Sequence, residues 1–356
     1  MNPYLTSTFL PVVVAIGITC YLLIQLVPVA RKMGLVDKPT DRKIHEAEVP
    51  VVGGIAIFLA ILFSLLLVPF GLDEYRIVIF GAGLLMVVGV LDDHQDISAK
   101  SKFVVQVFVA VMLVYGNDTF VTSIGDIWNW QDGNQQGLSW LARPLTVIAI
   151  VGVINAFNMI DGHDGLAAGV FLLMTATLIV LCSFNENWKY QYLLVLFFVS
   201  TLVFFFFNTG WILGRDRQSF LGDSGSMLLG FVLAYTMIVL SGDEMQTIRK
   251  TCVPWVLGLP LFDMATVLVT RIFVKVSLIG ADRRHIHHLL INNGYTGGKV
   301  LLILIVIQAL FCAVAIVGTV LDLADWLMFW SLIPTLLCYA YFRFRFARLA
   351  PSIRRT

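Results

Sequence analysis

Apolar stretches of about 20 residues, long enough to cross a hydrocarbon layer of about 30 Å as helices, recur along the whole chain. Of the 356 residues, 58% are hydrophobic and only 13% are charged, too few to cover a water-soluble core. We predict an all-α, polytopic integral membrane protein with a single membrane-embedded domain over residues 1–356. The eleven predicted transmembrane helices cover residues 5–29, 50–70, 75–91, 102–121, 141–158, 165–184, 191–213, 225–241, 251–273, 299–320 and 325–343.

The basic residues are distributed unevenly between the two sets of connections. An odd number of spans puts the termini on opposite sides, and with the N-terminus outside, the inner connections hold nineteen of the 24 lysines and arginines. Since basic loops stay cytoplasmic, we predict an outside N-terminus and a cytoplasmic C-terminus. All six histidines fall on the inner side, which favours an active site at the cytoplasmic face. Short outer loops are the alternative explanation, although the loop from Asn117 to Arg143 is long and contains no histidine.

The stretch "GVLDDHQD" ends the third predicted span with three carboxylates, Asp92, Asp93 and Asp96. A carboxylate at the bilayer centre costs roughly 3 kcal/mol, and less near the interface. Because the three also repel one another, we expect a metal ion or basic residues close to them.

A second polar segment, "NAFNMIDGHDG", follows the fifth span. Its polar residues recur every third position, at Asn155, Asn158, Asp161 and Asp164. On a helix that spacing forms a slowly drifting stripe. A single Asn in a membrane helix more often joins helices, but four such groups in register favour a polar site at the cytoplasmic mouth.

Two further inner connections carry site candidates. In "FLGDSGS", Asp223 and Ser224 are predicted to start the eighth span, where they would cap the helix or place phosphate at its N-terminus. In "ADRRHIHHLL", three histidines follow two arginines. Paired imidazoles can bind zinc, but the oxygen-rich loops suit Mg²⁺ better, so we interpret the basic cluster as an anion site.

Oxygen ligands from three connections and cations from others together predict phosphoryl transfer, in which the protein mainly positions groups and neutralises charge. An ion-coupled transporter is the alternative from another class, but its carboxylates should lie at the membrane midplane rather than at one face. A CDP-alcohol-type phosphotransferase would show the string DG-x2-AR, which this sequence lacks.

Five segments together resemble the polyprenyl-phosphate N-acetylhexosamine-1-phosphate transferases. They are "GLVDKPTDRKIHEAEVPVVGG", "LDDHQDISAK", "NAFNMIDGHDG", "FLGDSGS" and "ADRRHIHHLL". The resemblance implies transfer of N-acetylglucosamine 1-phosphate from UDP-N-acetylglucosamine to undecaprenyl phosphate, releasing UMP, with Mg²⁺ or Mn²⁺ as cofactor. It implies a homodimeric enzyme of the bacterial inner membrane that serves O-antigen or a related surface polysaccharide. No nucleic-acid partner is expected.

The resemblance also implies roles for individual residues. Asp92 and Asp93 would be the catalytic pair, and Asp223 and Asn158 would bind the metal. The residues expected to bind the nucleotide sugar are Asn155, Asp161, Asp164, Phe220, Arg271, Arg283, His285, His287 and His288. Those expected to bind phosphate or the lipid carrier are Lys102, Lys43 and His45.

Two departures from the family pattern concern the sugar site. His163 stands where relatives usually have an apolar residue, and "SLIGADRRHIHH" lacks the Ser-Pro-Phe that often precedes the histidine motif. The nearest alternative within the family is the phospho-MurNAc-pentapeptide transferase, which usually carries three consecutive histidines, whereas "HIHH" favours the N-acetylglucosamine branch. The C-terminal "FRFRFARLAPSIRRT" alternates aromatic and basic residues, which predicts contact with the anionic inner leaflet.

Overall fold

The computed structural model describes residues 3–37, 48–68, 70–95, 97–128, 137–185, 187–211, 214–275, 277 and 284–349. Within these ranges the chain forms fourteen α-helices and one pair of two-residue strands. The helices are α1 (Pro3–Met33), α2 (Gly53–Leu65), α3 (Arg76–Gln95), α4 (Ala99–Gly116), α5 (Ala142–Ile160), α6 (Leu166–Phe184), α7 (Trp188–Thr209), α8 (Gly222–Ser241), α9 (Val253–Val256), α10 (Gly258–Val274), α11 (Ile286–Asn292), α12 (Gly297–Val320), α13 (Asp325–Trp330) and α14 (Leu332–Leu349). The strands are β1 (Val36–Asp37) and β2 (Val49–Pro50).

Nine of the eleven predicted spans coincide with continuous helical segments that are long and apolar enough to cross a membrane. The ninth predicted span is broken, because the segments Lys250–Val256 and Gly258–Val274 meet at 79°. The second is α2, whose 13 residues extend only about 20 Å at about 1.5 Å per residue. The described residues therefore contain nine helices that are long and apolar enough to cross a membrane, or ten if the broken pair is one span, as expected for a multi-pass membrane protein. The sequence predicted eleven.

Helix α8 lies at the centre of the bundle. It packs against α2, α3 and α5, and almost all of its residues from Ser224 onward are buried. Other helices therefore cover α8 along nearly its whole length. Its first two residues, Gly222 and Asp223, are half-buried.

Two glycines allow neighbouring backbones to touch the first turn of α8. A Cβ on Gly89 of α3 would lie 2.2 Å from the Cα of Ser224, and one on Gly54 of α2 would lie 2.4 Å from the amide nitrogen of Gly225. Small residues permit this close approach between membrane helices. The start of α8 is consequently held by direct backbone contact from two sides.

The end of the first inner connection is bonded to the segment that precedes α8. Strands β1 and β2 pair antiparallel, with Val36 opposite Pro50. The amide of Phe220 donates to the carbonyl of Pro50 at 2.8 Å, and the amide of Gly53 donates to the carbonyl of Phe220 at 3.0 Å. These bonds join two motifs that lie far apart in the sequence.

We expect Gly89→Ala to destabilise the protein by about 1–3 kcal/mol, because the added methyl group overpacks the contact between α3 and α8. Thermal unfolding in detergent measures this change. Gly152→Ala is the matched control: no atom lies within 4 Å of a Cβ at Gly152, so we expect that variant to be neutral or more stable by about 0.5–1 kcal/mol. Equal unfolding temperatures for the two variants would contradict the packing argument.

Candidate active site

A lysine lies between two of the predicted acidic residues at the buried end of α8. The Nζ of Lys102 donates to Oδ2 of Asp92 at 2.8 Å and to Oδ2 of Asp223 at 2.7 Å. Ser98 caps α4 through the amide of Ser101, which starts the helix one turn before Lys102. The basic residue expected beside the acidic stretch is thus Lys102, and it joins the second and fourth motifs.

Asp93, next to Asp92 in sequence, has a different environment. Its Oδ1 accepts from the amide of Asp223 at 2.9 Å, and its Oδ2 accepts from the amide and hydroxyl of Ser224 at 3.3 and 3.0 Å. A carboxylate at a helix N-terminus satisfies free amides and interacts favourably with the helix dipole. Asp93 therefore caps α8 from a neighbouring helix, and these two amides already have an acceptor where the sequence suggested phosphate.

The two asparagines of α5 have separate partners. The Nδ2 of Asn158 donates to Oδ1 of Asp223 at 3.0 Å and to the hydroxyl of Ser226 at 2.8 Å. The Nδ2 of Asn155 instead donates to Oε1 of Gln106 at 2.6 Å, which joins α5 to α4. Asn158 therefore lies in the acidic cluster, whereas Asn155 makes the helix-joining contact that a single Asn favours.

The predicted polar stripe does not continue along one helix, because α5 ends at Ile160. Asp161 follows in the connection to α6, where burial and the carboxylates of Asp223 and Asp93 raise its pKa well above the usual range. Asp164 accepts from Nε2 of Gln218 at 2.9 Å, so the connection is bonded to the segment before α8. Asp161 thus lies near Asp223 and Asp93, and burial together with their charges disfavours its ionised form.

The donor atoms of the cluster fit a hard divalent cation. Asp92 has one buried oxygen, Oδ1, without a hydrogen-bond partner among the described residues, and Asp223 and Asn158 lie beside it. Mg²⁺ is commonly bound through one or two carboxylates, several waters and substrate phosphates. The described residues contain no group of three or more His, Cys, Asp or Glu side chains arranged to hold a metal, so waters and substrate would have to complete the coordination.

The histidine motif is held by a carboxylate that the sequence analysis missed. Asp263 of α10 is 2% exposed, and its Oδ2 lies 2.7 Å from Nδ1 of His285. Its Oδ1 accepts from the amide of Ile286 and from the hydroxyl of Tyr339, each at 3.0 Å. The contact between Asp263 and Nδ1 fixes the orientation of the His285 ring, and Nε2 lies on the opposite side of that ring. The signal in the sequence was a single acidic residue inside an apolar span, where an ionisable group is usually functional.

The last helix also holds the backbone before the histidines. Arg343 of α14 donates through Nε to the carbonyl of Arg284 at 3.0 Å and through Nη1 to the carbonyl of Thr266 at 3.1 Å. Arg343 is 7% exposed. The predicted contact of this segment with the inner leaflet is therefore wrong for Arg343, whose guanidinium lies inside the protein.

His287 is almost completely enclosed, with 1% of its surface exposed. Neither ring nitrogen has a hydrogen-bond partner within the described ranges, and a Cβ on Gly162 would lie 2.4 Å from its Nε2. Burial, together with the imidazoles of His288 and His285, holds the pKa of His287 well below the usual range. The motif is therefore less cationic than the sequence suggested, and it lies against the connection that carries Asp161.

The remaining predicted residues are more scattered. The Nε2 atom of His163 lies 2.9 Å from the carbonyl oxygen of Gly297, so the ring is directed at the start of α12. Arg271 is buried near the end of α10, and Phe220 is placed by its backbone bonds to Pro50 and Gly53. Three predictions lie outside the described residues, at Lys43, His45 and Arg283.

Comparison with known proteins agrees with this arrangement. The model of glycosyl transferase family 4 matches residues 75–241. An undecaprenyl-phosphate alpha-N-acetylglucosaminyl 1-phosphate transferase of Escherichia coli O157:H7 is 31% identical over 330 residues, which cover 92% of this chain and 88% of that protein. The protein of the same name in Yersinia pestis is 30% identical over 92% of this chain and 89% of its own length. A probable undecaprenyl-phosphate N-acetylglucosaminyl 1-phosphate transferase of Bacillus subtilis is 31% identical over 88% of this chain and 86% of its own length.

A membrane-embedded helical bundle with a buried acidic cluster and a histidine loop thus defines a class of membrane phosphotransferase. The chain belongs to glycosyl transferase family 4, and it is a glycosyl-1-phosphate transferase. The family resemblance inferred from the five motifs is confirmed.

The different environments of Asp92 and Asp93 predict different defects. We expect Asp93→Asn to lower the stability by about 1–3 kcal/mol, because an NH₂ group would then face donors at the start of α8. We expect Asp92→Asn to reduce transferase rate by about 100-fold or more through lost electrostatic stabilisation, with a smaller change in stability. Thermal unfolding and initial rates of the two variants separate these effects. An Asp92→Asn enzyme with full turnover, or equal stability losses in both variants, would contradict the assignment.

The contacts of Asp263 predict that this residue positions His285. We expect Asp263→Asn to lower the transferase rate by about 10- to 100-fold, since small displacements of positioned groups have effects of that size. Tyr339→Phe removes one of the bonds to Asp263 and should cost about 1 kcal/mol of stability. Tyr341→Phe, at an exposed position of the same helix, is the control. Full activity in a folded Asp263→Asn variant would show that the orientation of His285 is unimportant.

Proposed function

We propose that the enzyme transfers N-acetylglucosamine 1-phosphate from UDP-N-acetylglucosamine to undecaprenyl phosphate, forming undecaprenyl-diphosphate-N-acetylglucosamine and UMP. The observation that carries the proposal is the buried cluster of Asp92, Lys102 and Asp223, which has one unpartnered carboxylate oxygen among the described residues. The names of the relatives support both the sugar and the lipid carrier. Synthesis of O-antigen or a related surface polysaccharide is the corresponding role.

We further propose Mg²⁺ or Mn²⁺ as the cofactor, held by Asp92 and Asp223 with Asn158 as a further ligand. When bound, the metal would neutralise the diphosphate of the nucleotide sugar and the charge on the departing UMP. Support comes from the oxygen donors of the cluster and from the unpartnered Oδ1 of Asp92.

In the proposed reaction, a phosphate oxygen of the lipid carrier attacks the β-phosphorus of the nucleotide sugar. The new P–O bond joins the two phosphates, and the bond from the β-phosphorus to the bridging oxygen breaks, so that UMP leaves with the electron pair. Such reactions need positioning and charge neutralisation more than covalent help from the protein. The Nζ of Lys102, in contact with two carboxylates, is suited to neutralise phosphate oxygens at the same place.

The loops around the cluster would hold the two ends of the nucleotide sugar. His285, His287 and His288 are proposed to bind the sugar and diphosphate, and the unpartnered ring nitrogens of His287 favour a polar ligand there. Asp161, Asp164 and Phe220 are proposed to line the nucleotide pocket. A neutral His287 can donate one hydrogen bond and accept another, which suits sugar hydroxyl groups.

The proposed location is the bacterial inner membrane, with the active site facing the cytoplasm. Nineteen of the 24 lysines and arginines fall on the side that holds the motifs, as expected for cytoplasmic connections. UDP-sugars are supplied from the same side in this proposal, so substrate and site would meet without transport across the membrane.

We expect the detergent-purified protein to release UMP from UDP-N-acetylglucosamine when undecaprenyl phosphate and Mg²⁺ are both present, and EDTA to abolish the release. UDP-N-acetylgalactosamine and UDP-MurNAc-pentapeptide, assayed in parallel, test the choice of sugar. Release from the pentapeptide substrate alone would assign the enzyme to wall synthesis. Metal-independent release would overturn the proposed cofactor, and no release from any substrate by folded protein would overturn the reaction.

A further inference from the structure

A cavity lies on the face of the bundle formed by α1 and α7. It has a volume of about 470 Å³. Leu23, Val27 and Phe207 contribute to a mostly apolar wall. Three basic residues, Arg31, Lys32 and Arg217, also line it. We call this cavity the α1–α7 groove.

The basic end of the groove is held in place by a bond between distant parts of the chain. Nη2 of Arg31 donates to the carbonyl of Asp216 at 2.7 Å, which joins the end of α1 to the turn before α8. Within the described ranges, no carboxylate lies within ion-pair distance of Arg31, Lys32 or Arg217. Neighbouring cations without a counter-ion repel one another, so a bound anion would stabilise this end of the groove.

The apolar wall continues directly from the cations along α1. Ile24, which also lines the groove, precedes Arg31 by seven residues, or about 10 Å along a helix at about 1.5 Å per residue. Pro28 lies between them in the same wall. An occupant would therefore meet apolar side chains and then three positive charges.

We propose that the α1–α7 groove binds one anionic phospholipid, with its phosphate on Arg31, Lys32 and Arg217 and the upper part of an acyl chain against Leu23, Val27 and Phe207. The apolar wall matches the acyl chain of such a lipid, and the basic end matches its phosphate. Basic residues at a membrane surface attract anionic lipids, each by about fivefold in affinity.

The position of the groove argues for a bound phospholipid rather than the lipid substrate. Helices α1 and α7 both contact α2, and α2 in turn contacts α3 and α8, which carry Asp92 and Asp223. The groove residues share no bond with Lys102 or the two carboxylates. We therefore place the phosphate of the occupant outside the acidic cluster, where the bound lipid would stabilise the fold instead of reacting.

The binding test uses the full-length, delipidated protein in neutral detergent, and the KM for undecaprenyl phosphate is measured beside it. Phosphatidylglycerol or phosphatidylcholine is titrated in mixed micelles, and binding is followed by thermal unfolding and by mass spectrometry of the intact complex. We expect selective binding of phosphatidylglycerol, and an approximately 100-fold loss of apparent affinity in the triple variant Arg31→Gln, Lys32→Gln, Arg217→Gln. Lys299→Gln, at an exposed position at the start of α12, should bind like the unchanged protein.

Three results would overturn the proposal. The first is unchanged phosphatidylglycerol binding in the triple variant, and the second is equal binding of both lipids by the unchanged protein. The third is a raised KM for undecaprenyl phosphate in the triple variant while its phospholipid binding is intact. The last result would make the groove a substrate site. Loss of Arg31 also removes the bond to Asp216, so Lys32→Gln and Arg217→Gln are measured singly as well. Each should lower affinity about fivefold if the groove holds the headgroup.

Discussion

The burial of the first turn of α8 determines how the rest of the active site is built. The initial amide groups of a helix have no partners within the helix, and in this protein the backbones of α2 and α3 pack directly against the first turn of α8. The carboxylate of Asp93 supplies acceptors from α3. That contact requires α3 and α8 to touch, which Gly89 allows. The position of Asp223, and with it the acidic cluster, follows from this one capping interaction.

The same helix end concentrates negative charge that the protein itself neutralises only in part. Lys102 contacts Asp92 and Asp223, while Asp161 is buried among carboxylates that raise its pKa. In a site of low polarity such repulsion is stronger than in water. The cluster is therefore more stable when further positive charge is present, and the proposed divalent metal would supply such charge.

Sequence patterns predicted most of the spans because an apolar run of sufficient length is a local signal. They did not predict features that depend on how the helices pack together. Pro254, Gly258 and Pro260 lie around the break in the ninth span. The average hydropathy of this span is high, so it indicates neither the break nor the buried Asp263. Asp92 and Asp93 are the same residue type at adjacent positions, but the side chains of adjacent helical residues point about 100° apart. Their separate environments follow from that rotation. The pairing of Arg343 with Arg284 joins residues too distant in sequence for any local pattern to indicate.

The acidic cluster and the histidine loop, the two halves of the candidate site, are held in place by different contacts. Backbone contacts at glycines fix the acidic cluster, so few substitutions there are compatible with the fold. The histidine loop is instead held by hydrogen bonds that involve the side chains of Asp263, Tyr339 and Arg343. Each of these bonds can change in length or partner without moving α8. Variation in α10 and α14 can therefore displace the histidine loop while the acidic cluster stays in place.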